Sequence, residues 1–192
     1  MTTPGFPLHT ASDAPERSRA IRAGAARRFG YLPSPLALHA SSPAVLEAFG
    51  QLVARFERCS LGATEREVVT MTIAADNGCD YCVAMHTRTL GAMQADPALV
   101  AALRDDRPLA DARLATLRVF TRAVMAGRGA VPDAAREAFF AAGFTAENAL
   151  DVVLGVATYT LSTYANRLTD APLDPALEPY RWSPTAHGVS TP

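Results

Sequence analysis

Four side chains that can do chemistry together lie between residues 67 and 86 of this sequence: Glu67, Cys79, Cys82 and His86. The two thiols are separated by two residues, a spacing that can close a small disulfide ring. The histidine comes four residues after the second thiol, one helical turn away, where it can exchange a proton with that thiol. This combination is typical of a redox-active dithiol.

The spacing also places the reactive side chains on one helical face. Cys79, Cys82, Val83, His86 and Leu90 follow the i, i+3, i+4, i+7, i+11 pattern of a single face. Because apolar and reactive residues share this face, we expect it to lie at the inner edge of a helix interface. Such a position excludes much of the water and leaves a narrow approach for a small substrate, with Val83 and Leu90 lining it.

A proton relay can be built from the same residues. The positive end of the helix dipole near Cys79 favours thiolate over thiol, and His86 can take the proton of Cys82. Glu67 lies on the preceding helix and, in a helical hairpin, its carboxylate can orient the His86 ring. Spacing alone, however, favours a plainer role for Glu67, as the second half of a capping box that begins at Thr64.

Two other interpretations of the cluster stay open at this point. Cys79, Cys82 and His86, with Glu67 as a fourth ligand, suit a zinc ion, although a zinc knuckle normally sits in a turn with its other ligands on a separate segment. The cysteines can also be small buried residues, since free cysteine packs as a hydrophobe. The third thiol, Cys59, has no partner at short spacing and is expected to be passive.

Composition limits the class of protein. A chain of 192 residues is long enough for one full hydrophobic core, and its formal charge of −1 without a basic run argues against nucleic-acid binding. There is no run of eighteen apolar residues and no basic segment followed by an apolar one at the N-terminus, so we expect neither a membrane span nor a secretory signal. The expectation is a cytoplasmic protein.

Periodicity predicts an all-α fold in a single domain. The domain should span residues 13–170, between an extended or disordered lead-in at 1–12 and a Pro-rich C-terminal tail without regular structure at 171–192. A loop with room for one short turn is predicted for residues 31–42, which contain two prolines. Helices are predicted over residues 13–29, 43–59, 64–76, 79–91, 97–103, 111–126, 132–142 and 146–168.

The segment LGATEREVVTMTIAADNGCDYCVAMHTRTL, with its glutamate, C-x-x-C and histidine, resembles the carboxymuconolactone decarboxylase-like superfamily in its alkylhydroperoxidase D-like branch. The similarity covers roughly residues 45–95, and ALDVVLGVATYTLSTYANRLTDAPLD is similar to the last helix and tail of peroxidase-related members. The resemblance implies a compact multi-helix domain in which a central helical hairpin carries the C-x-x-C. It also implies a homo-oligomer, commonly a dimer, trimer or hexamer.

The same resemblance implies a peroxidase, a thiol oxidoreductase of the peroxiredoxin type that needs no cofactor beyond its redox-active disulfide. Its partners would be an organic hydroperoxide or hydrogen peroxide and a dithiol reductant protein. Carried over by residue, Cys79 and Cys82 are the redox pair, and His86 and Glu67 form the relay. The place of Cys79 at the helix end favours it as the more exposed and more acidic attacking thiol, whereas the His86 spacing favours Cys82, and the resemblance also implies Cys82. Some members have a second histidine where this chain has Tyr81, a substrate-proximal position whose phenol is a far weaker base.

Three function classes follow from the sequence. The first is a thiol-dependent hydroperoxide reductase, an antioxidant enzyme whose activity depends on both cysteines. The second is a zinc-binding domain. The third is a non-redox carboxymuconolactone decarboxylase-like protein with a binding or structural role. The joint occurrence of C-x-x-C and a histidine one helical turn later favours the first class.

Polar residues near the end of the last helix, among them Tyr159 and Asn166, could line the substrate approach or an oligomer interface.

Overall fold

The computed structural model of the protein describes residues 5–10 and 12–183 (the side chain of Arg28 excepted), and this part of the chain is all-helical, as predicted. No single helix in it is long and apolar enough to cross a membrane; by length and composition only the helix pair Asp133–Ala141 and Ala146–Leu168, bent by 118° at its junction, would suffice. The helices are α1 (Glu16–Phe29), α2 (Ser34–His39), α3 (Pro43–Phe56), α4 (Ala63–Asp76), α5 (Asp80–Ala92), α6 (Pro97–Arg104), α7 (Ala112–Ala126), α8 (Asp133–Ala141), α9 (Ala146–Leu168) and a 3₁₀ helix (Pro175–Tyr180).

Helix ends that carry a side-chain cap agree best with the sequence prediction. Helix α9 begins after Thr145, whose hydroxyl accepts a hydrogen bond from the backbone of Asn148, and α3 begins after Ser42 in the same way. The loop predicted at 31–42 contains more helix than the one short turn allowed for, since residues 34–39 form α2. The reason is that proline is tolerated in the first helical turn, where Pro35 lies.

Helix α4 lies at the centre of the fold and forms a hairpin with α5. It packs against α5, α6, α7 and α9, and its residues 68–74 are all buried. Asn77 and Gly78 make the turn of the hairpin, with Gly78 at φ 62°, where a side chain would be strained. The hairpin therefore brings the middle of α4 alongside the first turns of α5.

The crossing of α9 over α3 and α4 depends on Gly155. A β-carbon at this position would lie 2.8 Å from the ring of Phe56 and 2.9 Å from a methyl group of Val69. Since real side chains do not approach so closely, only glycine lets the three helices pack at this distance. This close packing places the second half of α9 beside the start of α5.

The capping box predicted at Thr64 is wrong. Helix α4 begins at Ala63 after Gly62, which has no side chain to complete a box; only the glutamate half is present, with the backbone N–H of Gly62 donating to the Glu65 carboxylate at 2.7 Å. The helix starts one residue earlier than the hydroxyl pattern predicted, because the extended backbone of Gly62 serves as the cap. Glu67 is thereby released from capping and lies one turn further along α4.

The C-terminal segment is more ordered than predicted as far as it is described. Residues 175–180 form a 3₁₀ helix that packs against α5 and buries Leu177. The prediction of no regular structure failed because Pro175 fits the first position of a helix and Leu177 supplies an apolar anchor. Asp174 accepts hydrogen bonds from Ser34 of α2 and from Tyr81 of α5, the latter at 2.6 Å. The rest of the predicted tail, residues 184–192, lies outside the described residues.

The predicted lead-in, residues 1–12, falls partly outside the described residues, at 1–4 and 11. Residues 6–10 have neither helix nor strand. They are held by the buried guanidinium of Arg22 on α1, which donates to the carbonyl oxygens of His9 and Thr10 at 2.6 Å each.

Candidate active site

The two thiols lie at the start of α5. Cys79 is the residue that precedes the first helical turn, with φ −93° and ψ 96°, and its backbone N–H donates to the carbonyl of Ala74 at 2.9 Å. Cys82 follows in the first turn. Both thiols are free rather than joined in a disulfide, so the structure represents the reduced protein. The fold thus presents the dithiol at the positive end of a helix.

Helix α9 supplies the polar neighbours of the thiols. The Asn166 side-chain amide donates to the Cys82 sulfur at 3.2 Å and lies 3.8 Å from the Cys79 sulfur, and the Ser162 hydroxyl is 3.7 Å from Cys82. Both cysteines are nearly inaccessible, with 1% of Cys79 and 4% of Cys82 exposed. Cys79 is therefore not the more exposed thiol that its place at the helix end suggested, because α9 covers it.

The two thiols share their protons unequally. A hydrogen bond from the Cys82 thiol lowers the pKa of Cys79, and the Cys82 backbone N–H and the Asn166 amide lower it further against the effect of burial. The same thiol–thiol hydrogen bond, together with burial, raises the pKa of Cys82 well above its ordinary value. The first proton therefore leaves Cys79, while Cys82 retains its proton and donates it to the Cys79 thiolate.

Glu67 and His86 form the second element of the site. The Glu67 carboxylate lies 2.8 Å from Nδ1 of His86, and the two side chains are only 12% and 14% exposed. With the proton on Nδ1, this ring nitrogen donates to the carboxylate, and Nε2 is left as an acceptor. The edge of the His86 ring also packs against Tyr159 of α9, with ring centroids 5.2 Å apart. Among the hydrogen bonds of the described residues, none joins His86 directly to Cys82.

A cavity of about 450 Å³ connects the dithiol to the glutamate–histidine pair. Its reactive wall comes from α4, α5 and α9 and contains Arg66, Glu67, Tyr81, Cys82, Met85, His86, Thr89, Tyr159, Ser162 and Asn166. The opposite wall comes from the first three helices and their connections, and apart from Glu57 it is apolar or glycine: Ile21, Gly24, Ala25, Phe29, Pro33, Pro35, Leu36, Leu46, Phe49, Gly50, Val53 and Phe56.

Two of the predicted neighbours of the substrate are therefore placed differently. Tyr81 lines the cavity as expected, but Val83 does not; it is fully buried in the helical core, as is Leu90. The helix is rotated relative to the predicted face, so residues 81, 82, 85, 86 and 89 face the cavity. Cys79 lies behind Cys82 and is absent from the lining.

Tyr81 does not replace the second histidine that some family members have at this position. Its hydroxyl donates to the buried Asp174 carboxylate, and burial together with this contact raises its pKa far above the ordinary value of a phenol. Tyr81 therefore remains protonated at neutral pH. Its role is to fasten the C-terminal segment to α5, while one edge of its ring faces the cavity.

The third cysteine and the alternative of a metal site remain to be placed. Cys59 is half-buried, and burial raises the pKa of its thiol. Among the described residues, no three side chains of histidine, cysteine, aspartate or glutamate are arranged to hold a metal ion. Sequence reasoning missed Ser162 and His39. Ser162 and Asn166 repeat at i, i+4 on a largely apolar helix, and this pattern was a usable signal; nothing marked His39.

Comparison with known proteins agrees with this description. The carboxymuconolactone decarboxylase family matches residues 41–122. No curated protein matches the sequence. Among solved structures, the chain is similar to an uncharacterized peroxidase-related protein with an alkylhydroperoxidase AhpD core from Ralstonia eutropha JMP134. The TM-score is 0.77 at 21% identity, over 90% of this chain and 93% of the other.

Two further structures cover even more of the chain. An uncharacterized peroxidase-related protein from Silicibacter sp. TM1040 has a TM-score of 0.77 at 20% identity, over 94% of this chain and 96% of its own. The debrominase Bmp8, in complex with 2,3,4-tribromopyrrole, has a TM-score of 0.74 at 15% identity, over the same shares of the two chains.

The fold and the site define a helical protein with a buried, reduced dithiol beside a glutamate–histidine pair. The family match and the shared fold together confirm the resemblance expected from the C-x-x-C segment. Residues 41–122 of the chain match the carboxymuconolactone decarboxylase family, and the chain shares its all-helical fold with the peroxidase-related proteins.

Proposed function

We propose that the protein is a thiol-dependent hydroperoxide reductase that uses the Cys79–Cys82 dithiol. The observation that carries this proposal is that Cys82 lines the same cavity as His86 and Glu67, directly in front of Cys79. A substrate in this cavity would meet an attacking sulfur, a proton carrier and, behind them, a second sulfur. These are the groups that peroxide reduction by a dithiol requires.

The proposed reaction has two steps. The Cys82 thiolate attacks the terminal oxygen of the hydroperoxide, the O–O bond breaks, and the products are a Cys82 sulfenic acid and an alkoxide, which takes up a proton to become the alcohol. The Cys79 thiolate then attacks the sulfur of the sulfenic acid and displaces hydroxide, which leaves as water after protonation. The sum is a dithiol plus ROOH giving a disulfide, ROH and water, and a dithiol reductant protein restores the thiols.

Cys82 is the proposed attacking residue because it faces the cavity, whereas Cys79 does not. The charge of the reduced pair rests first on Cys79, so a proton must leave Cys82 before it attacks. His86, one turn along the same helix, is the proposed carrier of that proton, and it returns the proton to the alkoxide. Glu67 holds the ring in the required tautomer.

The cavity supports an organic hydroperoxide as the substrate class. Its wall from α1, α2 and α3 is mostly aliphatic and aromatic, and a volume of about 450 Å³ is far larger than hydrogen peroxide needs. An apolar group on the peroxide would therefore be bound by burial against this wall.

Self-association is also part of the proposal, supported by large apolar side chains on the exposed surface of α9, namely Leu150, Val153, Tyr164 and Leu168.

The test is to oxidise the reduced protein and map its cysteines. After removal of reductant, one equivalent of cumene hydroperoxide should produce a Cys79–Cys82 disulfide within seconds, together with one equivalent of the alcohol, while Cys59 stays free. Peptide and intact mass spectrometry measure the disulfide and the state of Cys59, and chromatography measures the alcohol. If the two thiols remain reduced while the peroxide persists, the proposal is wrong.

Reductive dehalogenation is a second candidate, and the shared fold with the debrominase Bmp8 favours it. A dithiol can supply the two electrons for this reaction: a carbon–bromine bond is replaced by carbon–hydrogen, bromide leaves, and the disulfide forms. Phe29, Phe49 and Phe56 give the cavity an aromatic wall that suits a flat ring. Release of bromide from 2,3,4-tribromopyrrole by the reduced protein, without activity on cumene hydroperoxide, would establish this alternative.

Substitution of Gly50 should separate large substrates from small ones. Gly50 lies at the exposed mouth of the cavity, and a β-carbon there would meet no atom within 4 Å. Gly50→Trp is expected to narrow the mouth, lowering kcat/KM for cumene hydroperoxide about tenfold while leaving kcat/KM for hydrogen peroxide unchanged. Gly50→Ala is the matched control and should leave both values near wild type. Equal losses for both peroxides would contradict entry through this mouth.

A further inference from the structure

Only one of the two polar atoms of the Asn166 side-chain amide contacts the dithiol. Its Nδ2 donates to the Cys82 sulfur, but its Oδ1 is buried and has no hydrogen-bond partner among the described residues. A buried amide oxygen without a donor is uncommon in a folded protein. Since this amide lowers the pKa of both Cys79 and Cys82, whatever fixes its orientation also acts on the dithiol.

His39 is a second buried polar group without a partner. It ends α2, is 5% exposed, and meets the ring of Phe49 edge-on. Neither of its ring nitrogens has a partner at hydrogen-bond distance among the described residues. Burial lowers the pKa of His39 to about 4, so at neutral pH the ring is neutral and carries one N–H donor and one acceptor nitrogen.

The two incomplete groups are neighbours. The Asn166 side chain is close enough to His39 to raise its pKa against the effect of burial. An N–H donor without an acceptor and an amide oxygen without a donor thus lie close together where α2 packs against α9. A hydrogen bond between them satisfies both atoms without a third group.

We propose that His39 is a positioning residue for the dithiol: its ring N–H donates to Oδ1 of Asn166 and thereby holds Nδ2 of that amide against the two sulfur atoms. The effect of His39 on turnover rests on the proposed hydroperoxide reduction, but its effect on the thiols does not. A side-chain amide can rotate by half a turn, and the flipped form would place an oxygen against the sulfur, where a thiolate needs a donor. A donor on the far side of the amide makes the flipped form unfavourable.

Other charged or titratable groups act on the dithiol and stay constant in the test. Asp80 raises the pKa of Cys79, and the dithiol also interacts electrostatically with Tyr81 and, through Cys82, with Tyr159. On the C-terminal segment, the Asp174 carboxylate accepts from Ser34 at the start of α2, and Glu178 and Arg181 pair with each other. None of these groups is altered by substitution of His39, so a change in the thiol titration reports the Asn166 contact.

The test measures how fast iodoacetamide alkylates Cys79 and Cys82 of the reduced protein as a function of pH, with peptide mass spectrometry. Both His39→Phe and Asn166→Ala should raise the apparent pKa of the dithiol by about one unit and slow alkylation at pH 7 about tenfold. The double variant should behave like Asn166→Ala alone. His39→Gln, which keeps an N–H donor, should restore the wild-type profile.

Two results would overturn the proposal. One is an unchanged alkylation profile in His39→Phe; the other is a further shift of the same size when this substitution is added to Asn166→Ala, since a residue acting through Asn166 cannot act without it. The wild-type protein gives an independent measurement. Nitrogen-15 spectra should show the His39 ring as a single neutral tautomer between pH 6 and 8, and a protonated or tautomer-averaged ring would also refute the proposal. These measurements need no peroxide, so they remain valid if hydroperoxide reduction fails.

Discussion

Replacement of Cys82 by serine is expected to abolish hydroperoxide reduction, with a loss of at least about 10³-fold, whereas Cys79→Ser should leave one turnover intact. The difference follows from their places in the site. Cys82 faces the cavity and supplies the electron pair that breaks the O–O bond, and Cys79 lies behind it and acts only afterwards. Without Cys79 the reaction should stop at a Cys82 sulfenic acid, which dimedone traps and mass spectrometry locates.

Cys59→Ser is the control for this pair. Its thiol is half-buried and outside the cavity lining, and its removal should leave both the rate and the stoichiometry of peroxide consumption unchanged. A sulfenic acid on Cys79 in the Cys82→Ser variant, formed as fast as the wild type reacts, would show that the order of the two thiols is reversed. The lower pKa of Cys79 makes this reversal a meaningful alternative outcome.

The pattern of the sequence was sufficient for most helices and for the proximity of Cys79 and Cys82. Caps and apolar periodicity located α9 correctly because Thr145 and the following apolar residues act within one element. The glutamate–histidine contact was one of two roles that the sequence left open for Glu67, and spacing alone favoured the other role, capping of α4. What failed at α4 was the cap: Gly62 has no side chain that signals it, so Thr64 was assigned in its place.

The cavity could not be predicted from local pattern, because its walls come from distant parts of the chain. Val83 and Leu90 share the spacing of the reactive face, yet a modest rotation of α5 turns them into the core. Asn166 reaches the thiols from α9, and His39 reaches Asn166 from α2, across more than one hundred residues of sequence. Such contacts depend on close helix packing, as at Gly155, which periodicity does not encode.

The reactive residues of the cavity and much of its apolar wall come from different parts of the chain. The thiols, Glu67 and His86 fall within residues 41–122, where the family match lies. Much of the apolar wall comes from α1 and α2, which precede that region, and the amide beside the thiols comes from α9, which follows it. We therefore expect substrate preference in similar proteins to vary with the first two helices while the dithiol and its relay are retained.

Removal of the His86 ring should have the second-largest effect on catalysis. In His86→Ala the rate constant for oxidation by cumene hydroperoxide at pH 7 is expected to fall about 10²–10³-fold, because the variant lacks the ring proposed to take the proton of Cys82 and return it to the alkoxide. Glu67→Gln should cost less, about tenfold, since an amide can still accept from Nδ1 but lacks the charge of the carboxylate. Stopped-flow measurement of a single oxidation separates this step from later reduction of the disulfide.

Glu65→Gln provides a matched control two residues away on α4. Its carboxylate accepts from the Gly62 backbone and pairs with Arg113, so its replacement should destabilise the helix by about 0.5–1 kcal/mol without slowing oxidation. If Glu65→Gln slows the reaction as much as Glu67→Gln, both effects arise from the stability of α4 and the relay has no part in them. If His86→Ala reacts at the wild-type rate, the proton of Cys82 leaves by way of the Cys79 thiolate, and the dithiol alone accounts for the chemistry.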